Sequence, residues 1–405
     1  MQQDFDNMKV LYPKTFSLDD IKSKKAMQPF NEKALEFLNA LSKEINKDSR
    51  TRLFPDVATF AFFCRKANIL NIEKRYSFSG DGIRLGRGIV FHIAPSNVPV
   101  NFAYSLLCGI LAGNINIVRV SSKEFEQVTI IKNAILRIKE TGNYDEIADR
   151  IVLVQYDRQN VATSIFSSVC DVRVIWGGDE TISHIRNSPI PARAFDVTFA
   201  DRYSLCVIKA ENYLEENNPK AVAQGFYNDT YLFDQNACTA PHLVVWLGKK
   251  ENIEKAKTVF WNNLYSLVKE KYEKIQAVIA VDKLTTLYQQ AIALSNINKE
   301  ESPDNLLWRV RLNELPPAID EFRCTNGYFS EYDASSLDEI AGIVNNKYQT
   351  LSYSGFSEEE LKNFFQKNTP SGIDRIVPIG HTMDFSLIWD GYNLIKTLSR
   401  SCEIR

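Results

Sequence analysis

A thiol sits within the stretch FDQNACTAP, residues 233 to 241, among carboxylate, amide and hydroxyl groups. A free cysteine is by default a small, buried, inert hydrophobe. Cys64, Cys108, Cys170, Cys206 and Cys402 fit that role, lying in apolar helix or strand patterns or near the terminus, and Cys324 is undecided. Cys238 does not fit it. Asp234, Gln235, Asn236 and Thr239 are costly to bury unpaired, yet suited to positioning a thiolate and supplying donors around it. A positioned thiolate is a nucleophile. His242, four residues on, opens a Cys–His dyad as a further reading, although such pairs are seldom built from neighbours in sequence.

Three other stretches have chemical potential. In APSNVPVN (94–101) two prolines hold an extended turn and set the Asn97 side chain outside any regular hydrogen-bond ladder. VRVSSKE (118–124) offers Arg119 with the hydroxyls of Ser121 and Ser122, and WGGDE (176–180) offers Gly177 and Gly178, where a backbone can approach a ligand at a helix start. Each also has a plain reading: a turn asparagine, a solvated charge, simple turn glycines. None is a GxGxxG fingerprint. The nearest approximation, GDGIRLGRG (80–88), precedes the first strand and reads as a hairpin.

These stretches need elements to hold them. Short β-branched runs recur at GIVFHIA (88–94), INIVRV (115–120), RIVLVQY (150–156), VRVIWG (172–177) and LCVIK (205–209), separated by helix-like sequence. Continuous apolar runs so spaced predict central parallel strands with helical crossovers, hence a doubly wound α/β sheet, whose ligands bind at the carboxyl ends of its strands. After about residue 203 the pattern repeats more loosely, at HLVVWLG (242–248), GYFSEY (327–332) and TLSYSGF (350–356), with helices near Asn252 and Ser336, which predicts a second α/β domain. Asn31 can cap a helix that buries Ala34, Leu38, Leu41 and Ile45.

Composition narrows the partners. With 405 residues, 44% of them hydrophobic, the chain is long enough for two cores. A net charge of -2 supplies no global positive field for nucleic acid or anionic membranes. The N-terminal MQQDFDNMKVLYPK lacks the pattern of a secretory signal, and no apolar run is long enough for a transmembrane segment, so a cytoplasmic protein is expected. Seven scattered cysteines without a CxxC, and only four histidines, argue against disulfides and structural metal.

Together the segments GRGIVFHIAPSNVPVNFAYSLLCGILAGNINIVRVSSKEF, NDTYLFDQNACTAPHLVVW and SGIDRIVPIG with DFSLIWDGYNLI resemble the aldehyde dehydrogenase superfamily, and within it the long-chain fatty acyl-CoA reductases of bacterial bioluminescence systems. The likeness runs from residue 86 to near the C-terminus. It implies an aldehyde dehydrogenase-like fold: an NADPH-binding domain over 1–202, a catalytic domain over 203–385, and a segment 386–405 that packs back or joins an oligomer contact. It implies that Cys238 accepts the acyl group and that Asn97, with the Cys238 N–H, forms the oxyanion hole. Ile93, Ala94, Pro95 and Ser96 would line the cofactor site together with Arg119, Ser121, Ser122, Trp176, Gly177 and Gly178. Arg119 falls where the superfamily usually has lysine, and Ser122 where NAD-preferring members often carry glutamate. A serine removes a carboxylate that would repel a 2′-phosphate and Arg119 adds a cation, so NADPH is the expected cofactor. The implied substrate is a long-chain acyl-CoA or acyl-protein, the product a fatty aldehyde, and the implied partners are an acyl-activating synthetase subunit and further copies of the chain.

One departure is informative. Oxidative members carry a glutamate some thirty-odd residues before the cysteine to activate water. The corresponding VTFADRYSLC (197–206) has only Asp201, beside Arg202, a poor general base. An acyl-enzyme so placed should last until it meets a thiol or a hydride. An oxidative aldehyde dehydrogenase, a cysteine thioesterase or acyltransferase without redox chemistry, and a non-catalytic acyl-carrying subunit remain the alternatives.

Overall fold

The computed structural model describes residues 7–75, 83–158, 160–272, 276–294 and 296–404. The chain divides into two compact units, Met1–Ala200 with Tyr392–Arg405, and Asp201–Gly391.

The first unit carries strands β1 (Lys9–Tyr12), β2 (Ile83–Gly86), β3 (Ile89–Ile93), β4 (Ile115–Val120), β5 (Ile151–Gln155), β6 (Val172–Trp176) and β7 (Phe195–Phe199). Six of them form a sheet in the order β1-β5-β4-β3-β6-β7, parallel except for β1. Every residue of β3 and β6 is buried, as expected of strands covered on both faces. The chain steps outward from β3 through β4 to β5, then returns to the other side of β3 for β6 and β7. Strand order therefore reverses between β3 and β6, the position where open α/β sheets leave a crevice at their carboxyl ends.

Helices pack on this sheet by the pattern the sequence predicts. In α1 (Glu32–Lys47) the Asn31 side chain accepts from Lys33 N at 3.0 Å, and Ala34, Leu38, Leu41 and Ile45 are buried. Helix α2 (Asn101–Leu111) follows the β3 exit, α3 (Glu126–Glu140) follows β4, and α4 (Asp179–Arg186) follows β6. Gly109 lets α2 sit close to the sheet, since a Cβ there would lie 1.8 Å from the Asn116 side-chain oxygen. Under it runs a buried polar chain. The Trp176 indole donates to Ser105 Oγ (3.1 Å), Ser105 contacts His92 Nδ1 (2.7 Å), and His92 Nε2 contacts Asn116 Oδ1 (3.1 Å). Asn116 donates on to the Asn114 carbonyl and Asn114 to the Leu398 carbonyl (3.1 and 2.9 Å). Because the Asn116 oxygen only accepts, His92 carries its hydrogen on Nε2 and accepts from Ser105.

The hairpin expected at 80–88 is not formed by the described part of that stretch, residues 83–88. Residues 80–82 lie outside the described residues, and β2 pairs antiparallel with Ser399–Cys402 instead of folding onto β3. Arg84 donates to Ser399 Oγ and to the Lys396 carbonyl (3.0 Å), and Arg87 Nε donates to the Thr397 carbonyl (2.7 Å), so the pairing is stitched by side chains as well as backbone.

The second unit holds β8 (Tyr203–Lys209), β9 (Pro241–Leu247), β10 (Asn298–Lys299), β11 (Trp308–Leu312), β12 (Tyr328–Ala334), β13 (Tyr348–Ser354) and β14 (Arg375–Pro378) in the order β10-β11-β12-β9-β8-β13-β14. All but β10 run parallel. The run LCVIK, grouped above with the first sheet, belongs here: it forms most of β8, a central strand of this sheet. Helix α5 (Pro219–Thr230) and α6 (Lys250–Lys271) cover one face through Phe226, Phe260 and Trp261 packed on Trp246 and Phe329. Near Ser336 there is a single turn, Asp338–Ala341.

Helix α7 (Ala277–Ala293) docks the opposite way to most surface helices. Its buried residues are Lys283 and Gln290, while Val278, Val281, Leu284, Tyr288 and Ile292 are exposed. Lys283 donates to the Asn305 and Asn326 carbonyls, both at 2.6 Å, and so fixes the segment that enters β12.

Candidate active site

Cys238 lies in the loop that joins α5 to β9. After the turn Tyr231–Phe233 the chain takes two left-handed residues, Asp234 (φ 52) and Gln235 (φ 59), before reaching the thiol. A glutamine with positive φ needs firm support, and Gln235 has it. It is 1% exposed; its backbone N–H donates to the Thr230 carbonyl at 2.7 Å. Its Nε2 donates to the Pro241 and Tyr328 carbonyls, both at 3.0 Å, and its Oε1 accepts from Gly327 N (2.9 Å) and Tyr328 N (3.2 Å). Asn326 N donates to the Asp234 carbonyl (3.0 Å), so the segment held by Lys283 also holds this loop. Gln235 therefore clasps the loop backbone, and does not serve the thiol directly. The Asn236 amide likewise turns back to the Phe233 and Asp234 carbonyls, and Thr239 is buried with its hydroxyl 3.3 Å from Met383 Sδ.

Cys238 is half-buried. Ser204 Oγ donates to its carbonyl (2.7 Å), and Gln349 Nε2 approaches its sulfur at 3.5 Å. Burial pushes the thiol up to about 11, with the Asp390 carboxylate adding to the rise; the Gln349 hydrogen bond and the Arg202 cation oppose it. At neutral pH the resting group is the thiol. Asp201, the only carboxylate of VTFADRYSLC, is exposed and pairs with Arg323 at 3.6 Å. His242 is buried against the Tyr203 ring, with centroids 5.7 Å apart, and burial pushes it down to about 3. Its Nδ1 has no hydrogen-bond partner among the described residues, and it does not bond Cys238. The dyad reading finds no support.

The remaining candidates all lie in the first unit, at the carboxyl ends of β3, β4 and β6. Ile93 and Ala94 are buried, and Ala94 N donates to the Arg119 carbonyl (3.0 Å), so these two offer mainly backbone. Pro95 emerges from the sheet, Ser96 and Asn97 are exposed, and the Asn97 amide has no hydrogen bond to a described residue. Arg119 donates through Nε and Nη2 to the Tyr156 carbonyl (3.3 and 3.2 Å) and lies 5.0 Å over the Tyr156 ring. Ser121 is buried and accepts from Lys123 N at 3.2 Å, whereas Ser122 is exposed. The Trp176 ring is turned inward, stacked on Phe199 at 3.7 Å. Gly177 N donates to the Phe199 carbonyl (3.1 Å), and Gly178 is the N-cap of α4.

The β4 exit has groups of the kind a nucleotide would need. A partly buried cation, Arg119, and an exposed hydroxyl, Ser122, stand there, and the one carboxylate of the stretch 118–124 is the exposed Glu124 at its end. The α4 N-terminus is less suited to phosphate, because Asp179 and Glu180 occupy its first turn. Among the described residues no group of three His, Cys, Asp or Glu could hold a metal ion, and no helix is long and apolar enough to cross a membrane.

Gln349, Ser204 and Asp390 escape a reading of the sequence. They are scattered along the chain, and Gln349 lies 111 residues from the thiol it contacts. Asp390 falls within DFSLIWDGYNLI, a segment that carries the resemblance, but nothing in that stretch marks it as a neighbour of Cys238.

Residues 10–401 match the family model described as acyl-CoA reductase (LuxC). The chain is similar to the long-chain acyl-protein thioester reductase of Vibrio harveyi, 24% identical over 295 residues that cover 73% of this chain and 59% of that protein. It is also similar to that of Aliivibrio fischeri, 26% identical over 307 residues, covering 73% and 58%. The chain thus spans somewhat under two thirds of the length of these curated relatives. Among solved structures it resembles aldehyde dehydrogenase 21 from Physcomitrella patens in complex with succinate, with a TM-score of 0.66 and 11% identity over 95% of this chain and 88% of that one. A lactaldehyde dehydrogenase gives a TM-score of 0.66 at 12% identity, covering 95% and 89%. At such identities the likeness is one of fold, and the fold is the α/β, aldehyde dehydrogenase-like one expected. With its family model matched over nearly its whole length, the chain belongs to the acyl-CoA reductase (LuxC) family.

Proposed function

We propose that the protein reduces a long-chain acyl thioester, on CoA or on a protein, to a fatty aldehyde with NADPH, by way of an acyl group held on Cys238. The observation that carries this reading is a half-buried cysteine on a rigidly clasped loop, with Asp201 engaged by Arg323. In the first step the Cys238 sulfur attacks the acyl carbonyl; its proton leaves with the departing thiolate. One thioester replaces another, so the exchange is nearly isoenergetic. The Asn97 amide and the Cys238 N–H serve the developing oxyanion. When bound, the nicotinamide nucleotide supplies the hydride that takes the acyl carbon to the aldehyde level. Cys238 is then released as the thiohemiacetal collapses.

The first unit acts as the nucleotide-binding domain in this reading, with Arg119 and Ser122 favouring a 2′-phosphate. The second unit is the catalytic domain. An acyl-activating synthetase subunit as acyl source, a homo-oligomeric state and a cytoplasmic setting complete the proposal.

The test is acylation. Incubation with radiolabelled long-chain acyl-CoA should label the wild-type protein and leave Cys238→Ala unlabelled, and adding NADPH should release aldehyde with loss of its absorbance. Label on Cys238→Ala would overturn the assignment. Free fatty acid without NADPH consumption would favour a thioesterase instead.

A further inference from the structure

We infer that Gln349 is a catalytic residue that donates a hydrogen bond to the Cys238 sulfur, and that Asp390 positions it by accepting from the same amide nitrogen. The inference rests on Cys238 being the acyl acceptor. Gln349 lies on β13 where the pairing with β8 slips, between Tyr348 and Leu351. Such irregularities re-aim side chains beside active sites. The neighbouring Thr350 N donates to Ser204 Oγ at 3.2 Å, and Ser204 donates in turn to the Cys238 carbonyl. One slip in the ladder thus secures both the backbone and the sulfur of the nucleophile.

The amide has little freedom. Gln349 is 2% exposed, and its Oε1 accepts from Thr350 Oγ1 at 3.3 Å. Its Nε2 serves two acceptors, Cys238 Sγ and Asp390 Oδ1. A carboxylate ion only accepts. Asp390 therefore decides which end of the amide faces the sulfur, presenting NH2 and not C=O. Asp390 itself is in the left-handed region (φ 47), an uncommon conformation that marks a residue held by its surroundings. The charged groups that act on Cys238 are Asp390, Arg202 and Arg375; those that act on Asp390 are Arg202 and Asp374.

Sulfur gathers negative charge twice in the proposed cycle: when the S–H bond breaks as the C–S bond forms, and when the C–S electrons return to sulfur as aldehyde leaves. A donor aimed at sulfur lowers both barriers. The Asp390 charge works against ionisation while its hydrogen bond sets the donor, so the two residues affect the thiol with opposite sign.

The pH dependence of alkylation reads this directly. Iodoacetamide labelling of the Cys238 peptide, followed by mass, gives a midpoint for each protein, beside kcat for aldehyde formation and a melting curve. Gln349→Met should raise the midpoint by about one pH unit and lower kcat at least ~10-fold. Gln349→Glu, closer in shape, should raise it further. Asp390→Asn should lower the midpoint by about one unit and still lower kcat, because the donor loses its orientation. Unmoved midpoints, or shifts of one sign in Gln349→Met and Asp390→Asn, overturn the inference. Failure of acyl-CoA to label wild-type Cys238 strikes the proposed function instead, and the alkylation midpoints then still judge the donor.

Discussion

At the scale of single residues, most polar groups around Cys238 hold the loop, and few address the sulfur. Gln235 and Thr239 mark the stretch as unusual in sequence, and that signal is legible because a buried amide or hydroxyl needs partners. What they bond to is not legible. The carbonyls that Gln235 clasps belong to β9 and β12, and the donor at the sulfur comes from β13. Asn97 is the opposite case: its role in the proposed reaction comes from the resemblance, and its exposed amide supports nothing else that is described. Asn97→Ala should therefore melt like the wild type while kcat falls by ~10²–10³, the usual loss for one oxyanion donor. A variant with unchanged kcat would remove Asn97 from the reaction.

At the scale of elements, the strands of the first sheet were readable because both faces are covered and their sequences are almost wholly apolar. β7 and β11 were not, since half-buried and buried positions mix along them. The exceptions inside the readable strands are His92 and Asn116, which the buried chain beneath α2 explains. Burial pushes His92 down to about 4, with the Asn116 hydrogen bond only partly opposing it. Its folded value lies below its unfolded one, so the unfolded state binds more protons across the interval from about 6.5 to 4. Stability from this group is present above that interval and is lost as pH falls through it, by up to about 3 kcal/mol. Urea midpoints measured from pH 7 to pH 4 should fall, and His92→Gln should flatten the decline. Equal slopes in the two proteins would show that His92 stays neutral in both states or is solvated in the fold.

At the scale of the whole molecule, two sheets and two cores were legible from the repeated strand pattern, but the path of the chain through them was not. LCVIK reads like the strands before it because a central strand is apolar in either sheet. The mistaken hairpin at 80–88 arose because the partner of β2 lies more than three hundred residues away. Deleting the chain from Ser399 removes that ladder and the Arg84 bonds to Ser399. A loss of about 2–3 kcal/mol follows, or roughly 5–10 °C for a unit of this size. Calorimetry should show one transition shifted downward, that of the first unit, with the second unmoved; two equal shifts would mean that the units do not melt separately. The same strand return bears on biosynthesis. On the ribosome, Ile83–Gly86 emerges early, yet its mate follows only after the entire Asp201–Gly391 stretch, ~15–60 s later at ordinary translation speeds. Throughout that delay a nascent chain displays an unmatched strand margin open to stray pairing, and the margin closes only once the residues after Leu398 have emerged.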